Sequence, residues 1–139
     1  MSEATESATS GEIISKLSPL PVAATVTRLT DMISAKGMRL FAVIDQREQA
    51  RAAGLELRDT VLVIFGSPAA GTPVMAAAPL SALDLPLKAL IWDDAGQTKV
   101  SYYSPAALAQ RHHIPADLAG NLAGINALTD ALVAPSAGS

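Results

Sequence analysis

The stretch Gly66-Ser67-Pro68-Ala69-Ala70-Gly71-Thr72 follows an apolar run and precedes Pro73-Val74-Met75. A glycine-spaced turn between a strand and a helix can present backbone N–H groups to an anion, because a helix N-terminus carries unpaired donors and partial positive charge. The spacing is close to that of a phosphate cradle, yet no lysine precedes Thr72. Without that point charge on the terminal phosphates, nucleotide hydrolysis is disfavoured. Gly66, Ser67, Gly71, Thr72 and Met75 are therefore the ligand-binding candidates, for a small anion or another small molecule. The same residues also read as a plain turn and helix cap, with Thr72 as cap, Pro73 as first helical residue, and glycine serving backbone geometry.

The 2 histidines, His112 and His113, are adjacent. Neighbours on a helix point about 100° apart, so the two cannot easily chelate one ion. No further histidine or cysteine completes a set, and no metal site is expected. At a helix C-terminus the pair can interact with the last carbonyls instead. Asp45 follows one strand-like run and Asp93-Asp94 ends another. Strand ends are where α/β sites assemble, and carboxylates converging with His112 could act as acid and base. Asp45, Asp93 and His112 are thus the catalytic candidates. The alternative uses are a helix cap for Asp45 and a hairpin turn for Asp93. No nucleophile elbow is present, so the residues favour a binding role over an enzyme, and they specify no cofactor.

The elements that must hold these groups follow from hydrophobic periodicity and turn residues. Residues 1–10 are small and polar and read as a disordered tail; 11–134 read as a single domain, and 135–139 as a frayed end. Glu12–Leu17 can form a first strand. Val22, Val26, Leu29 and Ile33 line one face of a helix that closes at Lys36 and Gly37. Met38–Ile44 reads as a strand apolar on both faces at its far end, which suggests a central position. A short helix, Gln46–Ala53, follows. Thr60–Phe65 is apolar throughout, so both of its faces should be buried. A short helix from Pro73 to about Ala78 and an extended connection between Pro79 and Pro86 come next. Leu87–Asp93 and Thr98–Tyr103 flank a turn at Asp94-Ala95-Gly96-Gln97. Ser104-Pro105 opens a helix through His112, and Pro115 opens a last helix with Leu118, Leu122, Ile125, Leu128 and Leu132 on one face. The order β-α-β-α-β-α-β-β-α-α implies an α+β (α/β-type) domain with a mixed five-stranded sheet and helices packed on it.

Composition sets bounds. Cysteine is absent, which excludes disulfides and thiolate chemistry. Net charge is −3 and aromatic residues are 4%, so the basic, stacking surface of a nucleic-acid binder is missing. No apolar run reaches the roughly 18 residues of a membrane span, and the acidic N-terminus does not resemble a secretory signal; a cytoplasmic location is the expectation. Hydrophobic residues are 50% against 17% charged. That balance implies an apolar surface patch and makes a two-fold homodimer the expected partner arrangement.

The string GLELRDTVLVIFGSPAAGTPVMAAAPLSALDLPLKALIWDD, followed by VSYYSP and RHH, resembles the bacterial and archaeal domain-of-unknown-function family 302. The resemblance runs from about Pro21 to Leu118. Its motifs are FG-x-P-x-x-GTP-x-M, the LPLK strand start and SY-x-x-P. It implies a compact α/β domain, often dimeric, with no established activity. It also implies His where Gln46 stands and Asn where Ser67 stands, so any role resting on that imidazole is absent here. Three readings stay open: a homodimeric binding or regulatory module with its pocket near Gly66–Thr72, a small enzyme using Asp45 or Asp93 with His112, and a structural interaction module.

Overall fold

Runs rich in β-branched and aromatic residues favour a pleated, half-buried surface, and five of them form strands. These are β1 (Ile13–Ser18), β2 (Arg39–Asp45), β3 (Thr60–Gly66), β4 (Leu87–Asp94) and β5 (Gln97–Tyr103). The computed structural model describes residues 12–135. The expected tail, residues 1–10, and residues 136–139 of the expected frayed end lie outside the described residues. The strands form one sheet in the order β1-β5-β4-β3-β2. All four pairings are antiparallel. The mixed character expected of the sheet is thereby corrected. β1 and β2 sit on opposite edges and never pair, so the helical crossover between them creates no parallel ladder.

The helices are α1 (Val22–Ala35), α2 (Gln46–Ala52), α3 (Pro68–Ala77), α4 (Pro105–Arg111), α5 (Ala116–Ala119) and α6 (Gly124–Val133). Two 3-10 turns, Pro79–Leu83 and Gly120–Leu122, join them. The segment after Pro79 is thus helical, not extended, because Pro can open a 3-10 turn as readily as it can stiffen a strand. The last helix is divided at Gly120 and Gly124, residues that weaken a helix interior. The β4–β5 loop is Ala95-Gly96, with φ of 54° and 94°. Two successive positive φ values match the twist of a tight hairpin, and Gly96 takes the second without a steric penalty.

Alternation then decides what is covered. Val61, Val63, Phe65, Ala89, Ile91, Val100 and Tyr102 are buried against Leu29 and Ile33 of α1 and Ile125, Leu128 and Leu132 of α6. Lys16 ties β1 to α6: its ammonium donates to Thr129 Oγ1 at 2.7 Å and pairs with Asp130 at 2.7 Å. Tyr102 donates to Asn126 Oδ1 at 2.9 Å. A second cluster, Val74, Ala78, Leu108, Ile114 and Leu122, holds α3, α4 and α5 together, and Leu87 packs against both clusters.

The opposite side of the sheet is different. Leu62, Ile64, Leu90 and Trp92 alternate with the buried residues, yet none is itself buried and none joins either core cluster. Two expectations are corrected by this. β2 lies at a sheet edge, not at its centre, and β3 is buried on one face only. Continuous apolar character in a strand is compatible with burial on both sides, but α1 and α6 both lie on the same side.

Phe65 is fully buried and sits where β3 meets α3. Phe65→Ala should cost about 3–5 kcal/mol by transfer loss and cavity formation, measured as a fall in the urea midpoint with an unchanged slope.

Candidate functional site

Ser67 and Pro68 start α3, five residues earlier than expected. Ser67 caps the helix by accepting from the Ala70 N–H, and Pro68 is its first residue. Thr72 is consequently an exposed position inside the helix, and Pro73 lies in its interior. Ser67-Pro68 and Thr72-Pro73 carry the same cap-and-proline signature, and the upstream pair prevails. Neither Gly66 nor Gly71 has a positive φ. Their smallness serves space: a Cβ on Gly71 would stand 3.9 Å from Met75 Cε, and one on Gly66 would stand 3.7 Å from Pro86 Cβ.

That space opens into a cleft of about 330 Å³ between α3, the β2 start, the Leu85–Leu87 segment and the start of α6. All five ligand-binding candidates, Gly66, Ser67, Gly71, Thr72 and Met75, line it. Met38, Phe41, Leu85, Leu87 and Ile125 add to its apolar lining. Phe41 reaches it because β2 shifts register between Leu40 and Ala42, and a bulge re-aims the extra side chain. Asn121 is the third polar side chain at the cleft besides Ser67 and Thr72; its amide donates to Ala70 O at 3.0 Å. No charged residue lines the cleft. These partners come from distant parts of the chain, so no local spacing could have announced them.

The catalytic candidates are not brought together. Asp45 caps α2 by accepting from the Glu48 N–H at 3.0 Å. Asp93 accepts from the Gly96 N–H at 3.2 Å in the hairpin. His112 closes α4, near the other end of β4, and about 20 Å of strand separates Asp93 from Leu87. His112 Nε2 instead lies 2.6 Å from Asp84 Oδ2, and Arg111 donates to the same oxygen at 3.0 Å. Arg111 also pairs with Glu12 and stacks on the Tyr103 ring. Among the described residues no group of three His, Cys, Asp or Glu could hold a metal ion.

Burial alone would raise the Asp84 carboxyl. The hydrogen bonds from His112 and Arg111 outweigh it and hold the carboxyl below its ordinary range. A carboxyl depressed in the folded state contributes stability above its unfolded pKa, and that contribution is lost as the pH falls below about 4. Asp84→Asn should therefore lower stability at pH 7 by about 1–2 kcal/mol. It should also shrink the drop in melting temperature between pH 5 and pH 3, as read by calorimetry.

The cleft and fold can be set beside known proteins. The chain is 40% identical over 94 residues to the fluoride-specific ion channel FluC 1 of Brucella suis, covering 67% of this chain and 37% of that protein. The same identity and length hold for the fluoride-specific ion channel FluC 2 of Brucella melitensis, of which 35% is covered. The chain thus spans little more than a third of these relatives. A crystal structure of an uncharacterised conserved DUF302 protein from Bacillus stearothermophilus superposes with a TM-score of 0.74 at 19% identity, covering 87% of this chain and 94% of that one; at that identity the likeness shows the fold alone. The family model for the domain of unknown function DUF302 matches residues 14–132, nearly the whole described chain, and the protein belongs to that family.

Proposed function

We propose that this chain is a regulatory binding module whose cleft takes a small, mainly apolar molecule with one neutral polar end. The observation that carries the reading is the cleft's chemistry: about 330 Å³ of apolar space, no charged lining, and three neutral hydrogen-bonding side chains in Ser67, Thr72 and Asn121. Ligand sites of this kind are mostly apolar, with a few polar groups fixing orientation, and run from roughly 300 Å³ upward. A small anion fits it less well. Pro68 has no N–H to offer, Ser67 already takes the N–H of Ala70, and no Lys, Arg or His reaches the cleft.

The Brucella relatives supply a context for regulation. Their names are those of fluoride channels, while no helix among the described residues here is long and apolar enough to cross a membrane. In such a protein the segment resembling this chain would be a non-spanning module attached to the channel part. The enzyme alternative draws no support from Asp45, Asp93 and His112, which lie apart.

Thermal-shift titration tests the reading. Indole and medium-chain alcohols should raise the melting temperature by about 5 °C at about ten times Kd, and fluoride, phosphate and sulfate should not. Gly71→Leu, which fills the cleft beside Met75, should abolish the shift while the chain stays folded. No response to any apolar probe, or an equal response in Gly71→Leu, would contradict the reading.

A further inference from the structure

An edge of a sheet is a row of backbone N–H and C=O groups left to solvent or to a further strand. The two edges here are β1 and β2, and they differ in chemistry. β1 carries Ser15, Lys16 and Ser18, and a lysine in an edge strand discourages pairing. β2 carries Leu40, Phe41 and Val43, which are 43%, 44% and 44% exposed. Half-exposed apolar side chains along an open edge make a template for another strand. Among the described residues β2 pairs with β3 alone. Backbone groups of successive residues in such a pair point to alternate sides, so about half of those of β2 face outward.

The occupant follows from backbone chemistry and charge. From Ala42 to Asp45 β2 runs in regular register with Val61–Ile64, whereas the shift between Leu40 and Ala42 bends its start. A ladder on the outer edge therefore runs along Ala42–Asp45, and the rest of the added segment passes Arg39. The Arg39 guanidinium stacks on the Phe41 ring, 5.7 Å from its centroid. Lys36 lies three residues before it. Neither has a carboxylate partner among the described residues, while Lys16, Arg47, Arg51, Lys99 and Arg111 are all paired. At the other end of β2, Asp45 and Arg47 are engaged within the chain. The charge left over is thus positive and lies at the start of β2, where an acidic residue of the occupant answers it. The rest of the occupant must be extended, apolar and free of proline, which cannot donate to a ladder. Strand addition of this kind draws affinity from main-chain hydrogen bonds and specificity from side chains. It does not rest on the cleft reading, since Phe41 is the one β2 residue that lines the cleft.

We propose that the outer edge of β2 is a docking strand for an extended segment of a partner protein, apolar in its middle and acidic where it passes Arg39. The probe is a fluorescein-labelled octapeptide of alternating valine and threonine ending in two glutamates, made in both chain directions. Anisotropy should give a Kd of about 100 µM or tighter for one direction, with amide shifts in nuclear magnetic resonance spectra concentrated in residues 42–45. Lysines in place of the glutamates should weaken binding about tenfold, and Arg39→Glu should erase that difference. N-methylation of one alternate set of the probe's peptide bonds should abolish binding and of the other set leave it, since a strand offers one edge to its neighbour. Gly71→Leu should bind the probe as the wild type does, and a failed thermal shift with indole leaves these outcomes unchanged. Absence of binding in both directions overturns the assignment, as does equal loss from both methylated sets or a charge preference that survives Arg39→Glu. Loss of binding in Gly71→Leu overturns it by placing the probe in the cleft. Slow amide exchange along the outer edge of β2 in a two-chain particle without probe overturns it by giving the edge to a second copy.

Discussion

The central strands present apolar side chains in both directions, while α1 and α6 pack on one direction only. That imbalance governs the rest of the molecule. On the helix side, Phe65, Val63 and Ile91 meet Leu29, Ile33, Ile125 and Leu132 in a continuous core, and burial of this kind supplies most of the free energy that offsets chain entropy. On the other side, Leu62, Ile64, Leu90 and Trp92 gain only what their neighbours in the plane of the sheet give them. An apolar face already satisfied in its own hydrogen bonds is stable against solvent but more stable covered.

The cleft follows from the same arrangement. α1 and α6 reach along the sheet, but the corner beyond Phe65 and Leu87 is left to α3 and its neighbours. α3 starts abruptly at Ser67-Pro68, and two glycines keep its inner side short of bulk. The β2 bulge turns Phe41 toward the gap. Nearby, Asp84 gathers His112 and Arg111 and so fastens the 3-10 turn to the end of α4. Charge is spent on that fastening and kept out of the cleft, which is why the cleft suits a neutral ligand.

Much of this was legible in the sequence because it is local. The 3.6-residue spacing of Val22, Val26, Leu29 and Ile33, the caps at Asp45 and Ser104, and the turn at Ala95-Gly96 depend on a few neighbouring residues. The Gly66–Met75 segment stood out for the same reason. Other features depend on partners far away in the chain. Whether β2 is central or at an edge is decided by which strands pair. Apolar content alone could not say so, since an edge strand bearing Phe41 over a cleft reads like a core strand. The choice between Ser67-Pro68 and Thr72-Pro73 as the helix start was locally degenerate. Asp84 as the partner of His112 lies 28 residues away, with no periodicity to connect them.

Trp92 is the single tryptophan of the chain, and it lies at the centre of the uncovered face. Its fluorescence therefore reports directly on whether that face is shielded from water. Acrylamide should quench that emission readily, because no helix among the described residues covers the Trp92 side of the sheet. Emission at short wavelength that acrylamide leaves unchanged in dilute solution would contradict the account.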